Sequence, residues 1–190
     1  MGITVLLFFI FYMLDQILKF IVERLEITGS YVIIPNFLEI TRVHNDGMAW
    51  SAFSGAGVML ALISIAGTVI LCIVARHNDW KHNKLAALSI TMALAGCVGN
   101  LYDRLLTLFG IYDGVVDMIV FKPFDWVCEF FNLGTTVFNL ADVFLVVGVI
   151  LFAIDYCFFA DKKKKRAKME KEKLSDVLNE SDNNEGISGE

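Results

Sequence analysis

The stretch VFNLADVFLVVGVILFAIDYCFFA, residues 137–160, decides the fold. It is apolar almost throughout, with acids only at Asp142 and Asp155. A helix rising about 1.5 Å per residue needs about 20 mostly apolar residues to cross a hydrocarbon core of roughly 30 Å. This run is long enough. Working outward, three more runs qualify: residues 3–22, interrupted by Asp15, Gln16 and Lys19, and residues 57–75 and 85–102, which carry no charge. The composition agrees, since the 190 residues are 56% hydrophobic with a mean hydropathy of +0.61, far above that of a soluble domain. The expected fold is an all-α membrane protein of four transmembrane helices.

Four spans leave little chain for a separate soluble core, so the expected organisation is one membrane-embedded domain, residues 1–160, and a tail, residues 161–190. The first span lacks a basic leading region and a small-residue cleavage site, and is read as a retained helix. Arg76, Lys81 and Lys84 surround the connection after the second span, and Lys162–Arg166 follow the fourth. The longer connections, 23–56 and 103–136, hold only Arg24, Arg42, Arg104 and Lys122. Basic residues favour the cytoplasmic side, so both termini are expected there and the long loops outside. The tail balances eight basic against eight acidic residues and is too polar to bury a core. The net charge of −5 gives no footprint for nucleic acid. Cys72, Cys97, Cys128 and Cys157 have neither the spacing of a metal site nor that of a disulfide framework, and no cofactor is expected.

The first outward loop contains YVIIPNFLEITRV, residues 31–43, rich in β-branched and aromatic residues and bounded by Gly29 and by Asn45-Asp46-Gly47. Pro35 and Asn36 interrupt it, which favours a two-armed hairpin or an edge strand over one long strand. A small sheet at the outer membrane face follows. The second loop presents VVDMIVF, residues 115–121, an apolar run with Asp117 at its centre. The segment after it, with Trp126, Phe130 and Phe131, is aromatic and amphipathic and suits the membrane interface, with a substrate-covering flap as the alternative.

Ionisable groups within spans are costly and are functional candidates. With the amino terminus inside, Asp15 stands about 18 Å up the first span, in its outer half. Asn100 and Asp103 end the third span on the outer side, and Asn139 and Asp142 begin the fourth there; each pair is three residues apart and shares a face. The polar residues converge on the outer leaflet. Asp15 and Lys19, four apart, have the spacing of a self-neutralising pair, and Asp155 fits a residue at the cytoplasmic interface. Asp117 and Asp142 have no local cation. If they approach each other they titrate as a pair, one protonated and one ionised, and can take a proton from water while protonating a carbonyl oxygen or a leaving nitrogen. From spacing alone, a carboxylate-dyad hydrolase, a proton- or ion-coupled transporter and a structural polar network all remain open.

Five ordered segments add a resemblance. DQILK at 15–19, NDGMAWS at 45–51, GNLYDR at 99–104, VVD at 115–117 and FNLAD at 138–142 resemble the motifs of lipoprotein signal peptidase, also called signal peptidase II. The resemblance implies an outward β-cradle on the four spans and catalytic roles for Asp117 and Asp142. It implies supporting or substrate-binding roles for Asp15, Asn45, Asn100, Asp103, Arg104 and Asn139. It implies a prolipoprotein substrate with a lipobox cysteine, cut before the lipid-modified cysteine in the cytoplasmic membrane, with lipid as the surroundings and no metal. As bland readings, Arg104 pairs with Asp103, and Asn100 or Asn139 caps a helix. The sequence departs from the pattern at Trp50, in the less glycine-rich run 95–98, and in a longer stretch from Asp117 to Asp142. It leaves the oligomeric state and the precursors served open.

Overall fold

The structure is a computed structural model that describes residues 2–25, 27–46, 57–130, 135–158 and 169, with the side chains of Trp126 and Glu129 left aside. The chain divides into two compact units, Met1–Phe152 and Ala153–Glu190. Of the second, only 153–158 and 169 are described, so the expected tail lies almost wholly outside the described residues.

Four helices have the length and hydropathy to cross a membrane: α1 (Gly2–Arg24), α2 (Gly57–Arg76), α3 (Lys84–Leu108) and, last in the chain, α5 (Leu140–Phe158). Between α3 and α5 lies the short α4 (Lys122–Phe130). The protein is a multi-pass membrane protein. Apolar side chains of α1 and α2 stay open outside the bundle, among them Leu6, Phe9, Leu62 and Ile70. That outward face suits lipid, which is as apolar as the residues that meet it. α3 is the exception and the centre. It packs against both α1 and α2 and buries Ala86, Ala87, Ile90, Ala93, Ala95, Gly96, Gly99, Asn100 and Asp103. Its start is capped by Asn83, whose side chain accepts from the Ala86 amide at 3.4 Å. Its end runs to Leu108, beyond the expected limit at 102, because Asp103 and Arg104 continue the helix inside a polar site.

Small residues let α3 and α5 approach. A side chain on Gly96 would run into the Ala141 carbonyl and lie 2.8 Å from the Leu145 nitrogen. One on Gly148 would lie 2.6 Å from the Ala93 nitrogen. The scarcity of glycine in the 95–98 run therefore does not hold the helices apart: Gly96 stands where backbone meets backbone, and the buried Ala95 is small enough.

The hairpin reading of the first loop is realised as β1 (Tyr31–Ile34) and β2 (Leu38–Asn45). The turn places Asn36 at φ 55°, a left-handed conformation that asparagine tolerates better than most residues. β3 (Val115–Phe121) and β4 (Val137–Phe138) complete an antiparallel sheet in the order β1-β2-β3-β4. β3 is buried on both faces over Val115–Met118, and Val116 and Met118 pack with Val22 of α1. This seats the sheet against the end of the bundle where α1 and α3 finish. α4 is tied to the sheet by the Lys122 amide, which donates to Phe37 O at 3.0 Å, and by Lys122 Nζ, 3.3 Å from Glu39 Oε2. Phe124 and Phe130 remain exposed, consistent with an interfacial segment; residues 131–134 lie outside the described chain, as do 47–56, including Trp50.

Candidate active site

The β4–α5 junction organises the polar site. Asn139 precedes the first residue of α5, and Asp142 stands three residues later, the spacing of a reciprocal helix cap. Asn139 Oδ1 accepts from the Asp142 amide at 3.0 Å, and the Asn139 amide donates to Asp142 Oδ2 at 3.1 Å. The cap thus fixes the Asp142 carboxylate at the helix start, where unpaired N–H groups and the dipole favour negative charge.

β3 brings the second acid. Asp117 lies opposite Val43 in the β2–β3 register, and Asn45 opposite Val115. Residues two apart on a strand share a face, so Asn45 reaches diagonally and its Nδ2 donates to Asp117 Oδ2 at 2.7 Å. Asn139 Nδ2 donates to Asp117 Oδ1, also at 2.7 Å. One asparagine therefore holds both carboxylates. Asp117 is only 3% exposed, and burial first, then the nearby Asp142 charge, push its pKa up to about 7, against the pull of the two amide donors.

Asn100 backs the other acid, with its Nδ2 donating to Asp142 Oδ1 at 2.7 Å. Its oxygen accepts from Asn139 Nδ2 at 3.1 Å and from Lys19 Nζ at 3.2 Å. Lys19 is buried, and its ammonium lies 2.8 Å from Asp15 Oδ2 and 2.5 Å from Asp103 Oδ2. Asp15, fully buried, accepts from the Ala141 amide at 2.8 Å, so it serves the α5 N-terminus. Gly99 permits that approach, because a side chain there would lie 2.9 Å from Asp15 Oδ2. Arg104 is half-buried and lies in the field of Asp142, Asp117 and Asp103. Two carboxylates held by shared donors, one poised to carry a proton near neutral pH, can pass protons to and from a bound amide and water.

The family model for signal peptidase (SPase) II matches residues 7–158. The chain belongs to the signal peptidase II family. A lipoprotein signal peptidase of Fusobacterium nucleatum is 30% identical over 163 residues, covering 85% of this chain and 90% of that protein. One of Lactobacillus johnsonii is 35% identical over 149 residues, covering 78% and 87%. A bacterial membrane enzyme solved by the in meso method at 2.3 Å resolution superimposes with a TM-score of 0.70 at 31% identity, covering 86% of this chain and 92% of that one. A second such enzyme, at 1.9 Å, gives 0.65 at 32% identity, covering 81% and 92%.

Membership makes the chain a peptidase, hence a hydrolase, and leaves the transporter reading without support. In this family member, the structure brings Asp117, Asp142, Asn45, Asn100 and Asn139 into one hydrogen-bonded group. It places Asp15 and Asp103 one step behind them, joined through Lys19. The bland reading of Asn139 as a helix cap is also realised, in the same side chain. Asn100 is no cap; it stands within α3. Asp155 is buried.

Two members were missed in the sequence. Lys19 makes its expected intrahelical pair with Asp15, and the same ammonium also joins α1 to α3 through Asp103 and Asn100. Gln16 donates to Asp103 Oδ1 at 3.3 Å and to Asp15 Oδ2 at 3.1 Å. Depth was the available signal: Lys19 lies one turn beyond Asp15, at the level of Asn100 and Asp103. Of the NDGMAWS motif, only Asn45 and Asp46 fall within the described residues.

Proposed function

We propose that this peptidase is an aspartic endopeptidase of the bacterial cytoplasmic membrane that cleaves lipid-modified prolipoproteins before the diacylglyceryl cysteine of the lipobox. Both termini are cytoplasmic in this reading, and the site opens toward the outer leaflet. The basic residues around the α2–α3 connection and after α5 support that orientation. The names of the curated relatives support the substrate class.

The observation that carries the reading is the double use of Asn139, which donates to Asp117 from its side chain and to Asp142 from its backbone. In the proposed reaction Asp142 is the base and Asp117 the acid. Asp142 takes a proton from water as the water oxygen bonds to the scissile carbonyl carbon, and Asp117 gives its proton to the carbonyl oxygen. As the tetrahedral intermediate collapses, Asp117 recovers that proton and Asp142 passes its own to the leaving nitrogen. Neither acid forms a bond to the substrate. Asn45, Asn100 and Asn139 hold the acids, Lys19 and Asp103 brace Asn100, Asp15 holds the α5 N-terminus, and Arg104 offers forked donors to a peptide carbonyl.

The test is cleavage of a diacylglyceryl-modified precursor followed by gel shift, for Asp117→Asn and Asp142→Asn separately, with and without a chelator. Each substitution is expected to lower the rate by about 10³ or more, since it removes one of two cooperating groups, and the chelator to change nothing. Retained cleavage by either variant overturns the dyad; loss on chelation points to a metal instead.

A further inference from the structure

At the end of the bundle away from the sheet, α1 and α2 each pack on α3 and leave a cleft between them. Its volume is about 340 Å³. Val5 and Phe8 of α1, Cys72 and Ala75 of α2, and Leu94 of α3 make an almost wholly apolar lining. The hydroxyl of Thr91, also in the wall, is turned back to Ala87 O at 2.7 Å. Leu94 lies ten residues into α3, so the cleft reaches about 15 Å from the helix start. At its mouth stand Arg76, exposed in the last turn of α2, and Trp80. The Trp80 indole is fixed by its Nε1, which donates to Ala75 O at 2.9 Å. The peptidase reaction uses none of these residues.

We infer that this cleft binds one anionic phospholipid, an acyl chain lying between α1 and α2 and the phosphate meeting Arg76. Depth and charge point to that occupant. The cleft is bounded by membrane-spanning helices, where the abundant apolar filler is an acyl chain, and an empty gap forfeits dispersion contacts on every wall. Indole rings at a helix end mark headgroup level. Arg76 is followed by Lys81 and Lys84, whereas the acid of the same connection, Asp79, is engaged by the Lys81 and His82 amides at 3.1 Å and by His82 Nδ1 at 2.8 Å. Arg76 therefore gives the mouth a positive charge, complementary to a phosphate that carries no compensating cation.

The test is native mass spectrometry of the full chain in non-ionic detergent, offered equal amounts of phosphatidylglycerol and phosphatidylcholine with identical acyl chains. The wild type is expected to retain phosphatidylglycerol about fivefold over phosphatidylcholine, the effect of one basic residue near an anionic headgroup. Arg76→Gln, on an exposed position, is expected to bring the ratio to about one, while Arg24→Gln at the opposite end leaves it unchanged. Cys72→Phe, which fills the cleft, lowers retention of both lipids. No preference in the wild type, a preference that survives Arg76→Gln, or undiminished retention in Cys72→Phe overturns the assignment.

Discussion

Asn139 serves three purposes with one side chain and one amide: it caps α5, it orients Asp142, and it donates to Asp117 and Asn100. These can be separated. Asn139→Ser keeps a capping oxygen but loses the amide donors, whereas Asn139→Ala loses both. Thermal unfolding is expected to show the alanine variant destabilised by about 1 kcal/mol, the usual cost of a lost cap, and the serine variant much less so. Cleavage is expected to fall by about 10² or more in both, as both lose the donor to Asp117. A serine variant with wild-type turnover would limit Asn139 to capping. Asp117 makes a second residue-scale prediction. Its folded pKa, about 7, lies well above the ordinary carboxylate range, so the folded state holds the proton more tightly. Its contribution to stability is fully present below about pH 4, declines by on the order of 1 kcal/mol per pH unit, and is gone above about 7. Unfolding of Asp117→Asn measured from pH 5 to 8 should lack that decline. The two acids were legible as residues without a nearby cation, but Lys19 was not, because a neighbour four positions away hid its partners on another helix.

At the scale of elements, the α3–α5 contact depends on glycine where a side chain would meet backbone. Gly96→Ala places a methyl against the Ala141 carbonyl, and overpacking of this kind costs about 1–3 kcal/mol. Gly67→Ala, in α2, meets only Cys97 Sγ at 3.5 Å, an ordinary contact. Melting temperatures in detergent should therefore drop for Gly96→Ala and hold or rise for Gly67→Ala. Equal behaviour of the two would refute the backbone-contact explanation. The spans were legible because hydropathy and length are properties of single segments, and the hairpin because Pro35-Asn36 breaks a β-rich run. α4 was legible only as an amphipathic stretch. Its position follows from the Lys122 bridge to Glu39 and the Lys122 amide bond to Phe37 O, both to distant parts of the chain.

For the molecule as a whole, the fold brings one polar cluster together from α1, β2, α3, β3 and the β4–α5 junction. Asn45 and Asp117 are 72 residues apart in sequence, and Asp15 and Ala141 are 126 apart. Such distances explain why the sequence could place the acids at one depth without bringing them into contact: depth follows from each span separately, while contact needs strand register and helix packing together. The proposed reaction needs one proton on the pair, held by Asp117. Its most direct test is the pH dependence of kcat/KM for cleavage of a lipid-modified precursor by the wild type, from pH 5 to 9. The rate should fall about tenfold per unit above a pKa near 7, as the acid loses its proton. A rate that stays level or keeps rising to pH 9 would contradict a protonated Asp117 and, with it, the assignment of acid and base.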